Sequence, residues 1–162
     1  MLIVILGPTA SGKSALAIKL AMKLRGEIIS ADSRQVYQGM DLGTGKVTKA
    51  EQKLVPHHLF DVVSPKKQFT VADFVRLGQT AIKTITGKKH LPFIVGGTPF
   101  YIYSLVDGWH IPEVKPNPKL RKELATKTLP QLLKLLKQLD PARLLRIDKH
   151  NRVRIIRAIE IV

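Results

Sequence analysis

The 162-residue sequence contains no cysteine, which excludes a disulfide framework, a thiol nucleophile and a thiolate metal site. Acidic side chains are also few: 12 Asp and Glu stand against 27 Lys and Arg, so the formal net charge is +15. The apolar start at residues 1–6 is too short to span a bilayer and lacks the basic region of a signal peptide. We therefore expect a cytoplasmic protein without membrane contact.

The excess positive charge is unevenly distributed along the chain. Residues 1–109 carry 14 basic and 7 acidic side chains, whereas the shorter stretch 110–162 carries 13 and 5. A compact basic region of this kind indicates a polyanionic partner, most simply a nucleic acid. A solvated surface that only maintains solubility explains the charge equally well.

The order of apolar segments and glycine turns predicts an α/β fold. Residues 2–6 form a continuous apolar run typical of a strand buried on both faces, and a glycine loop, a helix and a second strand follow it as a βαβ unit. Three later elements are predicted by a capping box at Thr70 and Asp73, an apolar run at 91–95, and an N-cap at Thr98. Prolines at 112, 116 and 118 then mark a boundary before basic helical segments, so we expect domains at 1–111 and 112–162.

Residues 7–14 read GPTASGKS and match the phosphate-loop pattern G-x-x-x-x-G-K-[ST] between a strand and a helix. Glycines let successive backbone N–H groups point inward, Lys13 supplies a positive charge, and the Ser14 hydroxyl suits Mg²⁺. The residues predicted to hold the phosphates are Gly7, Pro8, Thr9, Ala10, Ser11, Gly12, Lys13 and Ser14. The motif predicts a polyphosphate ligand and does not specify ATP.

The only acid placed just after an early predicted strand is Asp32, which follows the second strand. The later strand at 93–95 runs into Gly96 and Gly97 and carries no carboxylate, an arrangement poor for nucleotide hydrolysis. A transferase whose Asp32 accepts a proton from an acceptor fits better. On spacing alone, Asp32 as the N-cap of a helix is an equally good interpretation.

Six segments of the chain occur in a characteristic order. They are GPTASGKS (7–14), ADSRQVYQGMDLGTGK (31–46), HHLFDVVSP (57–65), FTVADF (69–74), VGGTPFYIYSLVDG (95–108) and NRVRIIRAIE (151–160). In this order they resemble the tRNA dimethylallyltransferases, also called tRNA isopentenyltransferases. The resemblance covers essentially the whole chain and implies a P-loop NTPase-like parallel sheet with a helical insertion toward the C-terminus.

The resemblance also implies a reaction. Members of the family transfer a dimethylallyl group from dimethylallyl diphosphate to N6 of the adenine adjacent to the tRNA anticodon, and they require Mg²⁺. The phosphate loop would hold the donor diphosphate with Ser14 at the metal, and Asp32 would be the general base. Thr98 would lie in the channel between donor and acceptor as a second catalytic residue.

The tRNA contacts are implied in the same way, with the basic region 110–162 gripping the anticodon stem-loop of a substrate bound by a monomer. The residues expected to contact tRNA are Asp32, Ser33, Arg34, Gln35, Thr98, Arg121, Arg154, Ile155, Ile156, Arg157 and Ala158. Arg154 and Arg157 also fall on one helical face by their spacing.

The sequence departs from the family pattern in length and at two motifs. Family members are roughly twice as long, and the final apolar pattern has no helix cap, so we expect the chain to be the N-terminal portion and weakly active or inactive alone. The family's GGTGLY reads GGTPFY at 96–101, and its GTAKP reads GTGKV at 43–47. Alternatives are a P-loop small-molecule kinase, prenylation of free adenine nucleotides, and a non-catalytic nucleic-acid binder.

Overall fold

The computed structural model describes residues 1–109, 111–112 and 114–162. The chain divides into two compact units, Met1–Ile111 and Pro112–Val162. The strands are β1 Ile3–Leu6, β2 Gly26–Ser30, β3 His57–His58 and β4 Leu91–Gly96. The helices are α1 Lys13–Leu24, α2 Lys49–Leu54, α3 Val71–Gly87, α4 Pro99–Val106, α5 Pro118–Ala125, α6 Leu129–Leu139, α7 Pro141–Arg146 and α8 Arg152–Ile161.

The first unit is built on a parallel sheet with strand order β1-β4-β2-β3. Alternate residues of the central strands face opposite layers: Ile28 and Phe93 pack with α1, whereas Ile29 and Ile94 pack with residues of α3 and α4. Burial on both faces explains why β4 reads LPFIVG, an apolar run without alternation, whereas β2 also buries the polar residues Glu27 and Ser30. The predicted α/β fold, a parallel sheet flanked by helices, is confirmed.

Strand β1 differs from its prediction. Val4 is 39% exposed and Leu6 is 42% exposed, so the expectation of burial on both faces is wrong. The reason is position: among the described strands, β1 pairs only with β4 and lies at the edge of the sheet. A continuous apolar run therefore identified a strand correctly and its depth in the sheet incorrectly.

The capping signals in the sequence are confirmed at α3. The Thr70 hydroxyl accepts a hydrogen bond from the Asp73 N–H at 3.2 Å, and the Asp73 carboxylate accepts one from the Thr70 N–H at 3.1 Å. This pair satisfies two backbone donors that a helix start leaves free. Helix α3 is thereby fixed under β2 and β4, with Phe74 and Ile85 fully buried.

The second unit is helical, as predicted. Its core combines α5, α6 and α8, and its fully or nearly fully buried members are Leu124, Leu132, Leu136, Ile155, Ala158 and Ile159. In the part of the chain that the structure describes, no helix has both the length and the apolar character needed to cross a membrane.

Candidate functional sites

The phosphate loop is shaped by left-handed backbone at two positions. Gly12, which directly precedes α1, has φ 79°, and Ala10 has φ 64°. Glycine adopts this conformation without steric cost, whereas a side chain is strained there. The Lys13 ammonium donates a hydrogen bond to the Pro8 carbonyl at 2.8 Å, which closes the loop on itself. The left-handed positions and this hydrogen bond therefore give the loop a defined shape.

The carboxyl ends of β2 and β4 are tied together next to this loop. The Ala31 N–H donates to the Val95 carbonyl at 2.8 Å, and the Thr98 N–H donates to the Ala31 carbonyl at 3.2 Å. The approach is so close that a Cβ on Gly96 would overlap the Ala31 carbonyl. A side chain, and hence a metal-binding acid, has no room at Gly96, the last residue of β4. The absence of a carboxylate there is a steric requirement of the fold.

Asp32 lies in a turn at the end of β2. Its carboxylate accepts a hydrogen bond from the Arg34 N–H at 2.9 Å, and the chain continues through turns to Gln35 and beyond. Because no helix begins at Asp32, its interpretation as a helix N-cap is wrong. The next residue is held by the Thr98 hydroxyl, which accepts a hydrogen bond from the Ser33 N–H at 3.1 Å. Thr98 precedes α4 as predicted, but its side chain makes no cap bond to the helix.

A cleft of about 430 Å³ brings the phosphate loop and Asp32 together. Its lining includes Asp32, Gln35 and the loop and helix residues from Thr9 to Ala15. The opposite wall is formed by Thr44, Gly45, Lys46, Val47 and Glu51, none of which was singled out from the sequence. In this segment Gly43 has φ 74° and Gly45 has φ 64°. Because glycine adopts left-handed backbone without steric cost, these two closely spaced glycines were the sequence signal for a loop of defined shape.

Gln35 positions that wall. Its side-chain N–H groups donate to the carbonyls of Thr44 at 3.2 Å and Gly45 at 3.0 Å, while its oxygen accepts from the Ser30 hydroxyl at 2.7 Å. Both amide donors are therefore occupied. In this geometry the Gln35 side chain holds the wall in place, and the expected contact of Ser33, Arg34 and Gln35 with the substrate tRNA stays a prediction.

Lys46 anchors the same wall from below. Its ammonium, on a side chain only 3% exposed, donates to the Tyr37 carbonyl at 2.7 Å and to carboxylates of Asp41 at 2.9 Å and Asp61 at 2.7 Å. Burial disfavours the charge, but the hydrogen bonds to Asp61 and Asp41 outweigh it, so the pKa of Lys46 is raised above its ordinary value. Lys46 therefore stays charged, and its three bonds hold residues 37, 41 and 61 together.

In the second unit, two of the arginines expected to contact tRNA are engaged within the protein. Arg121 makes two hydrogen bonds, at 2.8 and 2.6 Å, to the carboxylate of Glu160, and Arg157 binds the same carboxylate. The hydrogen bond from Arg121 lowers the pKa of Glu160 to about 2, with burial opposing it and the Asn117 N–H and Arg157 reinforcing it. These arginines join α5 to α8 around a buried acid.

The stretch 154–158 divides between core and surface. Ile155 is fully buried and Ala158 is 3% exposed, because both lie on the face of α8 that packs in the helical core. Their side chains therefore face the helical core, and the expected contact of these two residues with tRNA stays a prediction. Arg154 is exposed, whereas Ile156 and Arg157 are half-buried. The phosphate-loop cleft and these arginines belong to different units of the chain.

Comparison with known families identifies two matching models. The model described as IPP transferase matches residues 35–162, and the model described as isopentenyl transferase matches residues 1–59. Together they extend over the length of the chain.

Individual relatives agree. The chain is 46% identical to a tRNA dimethylallyltransferase of Roseiflexus sp. strain RS-1 and 48% identical to one of Trichormus variabilis, covering 99% of this chain and 54% of each relative. It therefore spans about half the length of the curated relatives it matches.

Solved structures give the same result. The full-length tRNA isopentenylpyrophosphate transferase from Bacillus halodurans matches with a TM-score of 0.67 at 40% identity, covering 99% of this chain and 54% of that one. A eukaryotic dimethylallyltransferase, crystallised acting on tRNA, matches with a TM-score of 0.85 at 30% identity, covering 99% and 40%. The predicted resemblance is confirmed: this chain belongs to the IPP transferase family, alongside tRNA dimethylallyltransferases.

Proposed function

We propose that this chain acts in the transfer of a dimethylallyl group from dimethylallyl diphosphate to N6 of the adenine next to a tRNA anticodon. The observation that carries the proposal is the cleft at the carboxyl edge of the sheet, which is lined by both the phosphate loop and Asp32. Ligands of open parallel sheets bind at this edge. A leaving group and a proton acceptor are thereby offered to one reaction site.

The proposed reaction is a displacement at carbon. The adenine N6 amine attacks C1 of the donor, the C1–O bond breaks, and the diphosphate leaves with the bonding electrons. Backbone N–H groups of the loop, Lys13 and the amino end of α1 would stabilise the charge that develops on the diphosphate. Asp32 would accept the proton released by the amine. The adenine would be flipped out of its stack to reach Asp32, Ser33 and Arg34.

The cleft also suits Mg²⁺, which the family resemblance implies. Mg²⁺ is held in proteins by few oxygen ligands together with substrate phosphates. Ser14 lines the cleft, and among the described residues no group of three His, Cys, Asp or Glu could hold a metal ion. Ser14 would therefore be the protein ligand, and the bound ion would offset diphosphate charge.

The same geometry counts against the P-loop kinase alternative. A second acid at the end of the neighbouring strand would help to hold Mg²⁺ on ATP, but Gly96 is pressed against the Ala31 carbonyl with no space for a side chain. Two carboxylates line the cleft. Glu51 is engaged by Thr48 at the start of α2, and the place of Asp32 at the end of β2 matches a proton acceptor better than a nucleotide-metal ligand.

The test uses a chimera, because the chain spans half of its relatives. This chain replaces the matching part of the Roseiflexus enzyme, and the chimera is incubated with tRNA and dimethylallyl diphosphate labelled in the prenyl group. We expect label at N6 of the adenine beside the anticodon. The 162-residue chain alone should bind the donor and give little or no product.

The outcome separates the alternatives. Label appearing on AMP, ADP or ATP and not on tRNA would assign the acceptor to free nucleotides. Transfer of the γ-phosphate of ATP to a small molecule would indicate a kinase. A folded chimera that binds the donor yet leaves tRNA unlabelled, beside an active Roseiflexus enzyme, would contradict the proposal.

A further inference from the structure

A small cavity adjoins the cleft at the phosphate loop, and Ser14, Gln35 and Val47 line both. The cavity has a volume of about 10 Å³, which is room for a single water molecule. Its polar lining side chains are those of Ser14, Ser30, Gln35 and His57. His57 belongs to the segment HHLFDVVSP, in which neither the residue pattern nor the family resemblance gave any side chain a role.

His57 offers a hydrogen-bond acceptor of fixed direction. Its Nδ1 lies 2.7 Å from the Val55 carbonyl oxygen, and because a carbonyl only accepts, Nδ1 carries the proton and donates it. Burial lowers the pKa of His57 below its ordinary value, so at neutral pH the ring is neutral and Nε2 keeps its lone pair. The ring also stacks on Phe60, with centroids 5.3 Å apart and planes 15° from parallel.

Gln35 and Ser30 have already used their donors elsewhere. The Ser30 hydroxyl donates to the Gln35 side-chain oxygen at 2.7 Å, and the Gln35 N–H groups donate to the carbonyls of Thr44 and Gly45. The oxygens of both side chains can still accept a hydrogen bond. Together with His57, three of the four polar side chains that line the cavity therefore act as acceptors.

Ser14 is the fourth polar side chain, and its hydroxyl has a proton to donate. Within the part of the chain that the structure describes, Ser14 makes no direct hydrogen bond to Ser30, Gln35 or His57. A water molecule in the cavity would bridge them by giving its protons to the acceptors and accepting the Ser14 O–H. With the Ser14 hydroxyl reversed, the water oxygen would have no donor among these side chains.

We propose that His57 is a positioning residue that orients the Ser14 hydroxyl through one bound water. With its O–H directed to that water, Ser14 keeps its oxygen lone pairs for the cleft, where a Mg²⁺ ligand needs them. Hydrogen-bond partners behind a metal ligand set its orientation and tune metal affinity. The inference deepens the proposed function and rests on it for the role of Ser14 as the metal ligand.

Two substitutions of His57 separate its lone pair from its packing. His57→Phe keeps a ring that can stack on Phe60 and removes the acceptor. His57→Gln removes the ring and provides an amide oxygen that can accept in place of Nε2. Both variants lose the hydrogen bond to the Val55 carbonyl, so this loss does not distinguish them. A positioning role predicts that the glutamine variant resembles the unmodified chain and the phenylalanine variant does not.

The experiment measures the dissociation constant of dimethylallyl diphosphate for the 162-residue chain by calorimetry, with Mg²⁺ and with EDTA. The ratio of the two constants is the gain in affinity from the metal. His57→Phe should reduce this gain about tenfold while changing the constant in EDTA less than about twofold. His57→Gln should keep the gain within about threefold. A gain retained by phenylalanine and lost by glutamine would overturn the inference, because packing would then be the role of His57.

A double-mutant cycle tests whether His57 acts through Ser14. Ser14→Ala removes the metal ligand, so adding His57→Phe to it should change the gain from Mg²⁺ less than about twofold. A further tenfold loss in the double variant would show that His57 acts independently of Ser14 and would contradict the inference.

A crystal structure of the unmodified chain tests the bound water without a donor. We expect one ordered water within hydrogen-bond distance of both Ser14 Oγ and His57 Nε2, and a structure that resolves ordered waters but shows none there would overturn the inference. Donor binding in Mg²⁺ with an equal gain in His57→Phe would contradict the inference and leave the proposed function intact. Failure of the unmodified chain to bind the donor would contradict the proposed function, and the crystal structure would then decide the inference by itself.

Discussion

Two clefts of this chain, one in each unit, are built by different means. The cleft of the first unit is shaped by backbone: Gly12 takes a left-handed conformation and the strand ends are tied to each other. The cleft of the second unit lies between α7 and α8, and its lining includes Arg143, Arg146, Arg154 and Arg157, three of which are exposed. A diphosphate has one shape, which a rigid backbone can match, whereas an RNA strand varies in path and is better followed by flexible side chains.

The largest expected effect is that of Asp32→Asn, which should lower the rate of the reaction without weakening the binding of donor or RNA. Asp32→Asn should lower turnover in the chimera by about 10²- to 10⁴-fold, because the proposed proton acceptor is lost. The amide keeps an oxygen for the bond from the Arg34 N–H, so the turn should survive. Donor and RNA affinities should stay within about threefold. Single-turnover rates and equilibrium binding measure the two quantities, and wild-type turnover in this variant would remove Asp32 as the base.

Each unit also contains a buried carboxylate, which offers a second comparison. Burial disfavours the charge of Glu27, but hydrogen bonds from His58, His90 and Lys88 lower its pKa to about 2, and Glu160 reaches the same value through Arg121. Both side chains are 1% exposed. The folded-state pKa lies below the ordinary value of 4.5, so each contribution to stability is complete above about pH 4.5 and is lost as the pH falls toward 2.

Replacing either acid by glutamine should therefore destabilise the chain by on the order of 3 kcal/mol at neutral pH. The loss should shrink between about pH 4.5 and pH 2, since the wild-type advantage disappears there. Urea unfolding at pH 7 and at pH 3 measures both effects. The single tryptophan, Trp109, belongs to the first unit, so its fluorescence should respond to Glu27→Gln. An equal difference at pH 3 and pH 7 would contradict the linkage.

The sequence predicted what depends on local pattern. The phosphate loop, the capping box of α3 and the helix after Thr98 were all legible because each needs a few residue types at fixed spacing. The exposure of β1 was not, because the depth of a strand depends on which strands lie beside it, and the same apolar run serves either place.

Side-chain hydrogen bonds between residues far apart in the chain could not be predicted from the sequence either. The sequence does not show that the Gln35 side-chain amide donates hydrogen bonds to the carbonyls of Thr44 and Gly45. Arg121 and Glu160 are 39 residues apart, and neither a charge count nor a helical face pairs them. An arginine in a basic region has the same local pattern whether it binds RNA or a buried acid.

An effect of intermediate size is expected for Lys46, which holds the wall opposite the phosphate loop. Lys46→Met should raise the dissociation constant of dimethylallyl diphosphate about tenfold, because Asp41 and Asp61 lose their cation and the wall at 44–47 loosens. Lys46→Arg restores the charge and should recover most of the affinity. Calorimetric titration of the donor gives both constants, and RNA binding by the second unit is the internal control. Equal donor affinity in all three proteins would show that the wall plays no part in the site.

The smallest effect concerns Thr98, whose hydroxyl accepts the hydrogen bond from the Ser33 N–H. Thr98→Ser retains that acceptor and should keep turnover in the chimera within about threefold. Thr98→Val is nearly isosteric but leaves a partly buried N–H without a partner, which costs about 1–2 kcal/mol, so the turn carrying Asp32 should shift and turnover should fall about tenfold. RNA affinity should not change, because the bond belongs to the sheet unit alone. If serine and valine behave alike, the bond to Ser33 does not position Asp32, and the precision attributed to the backbone-built cleft must come from the strand ends themselves.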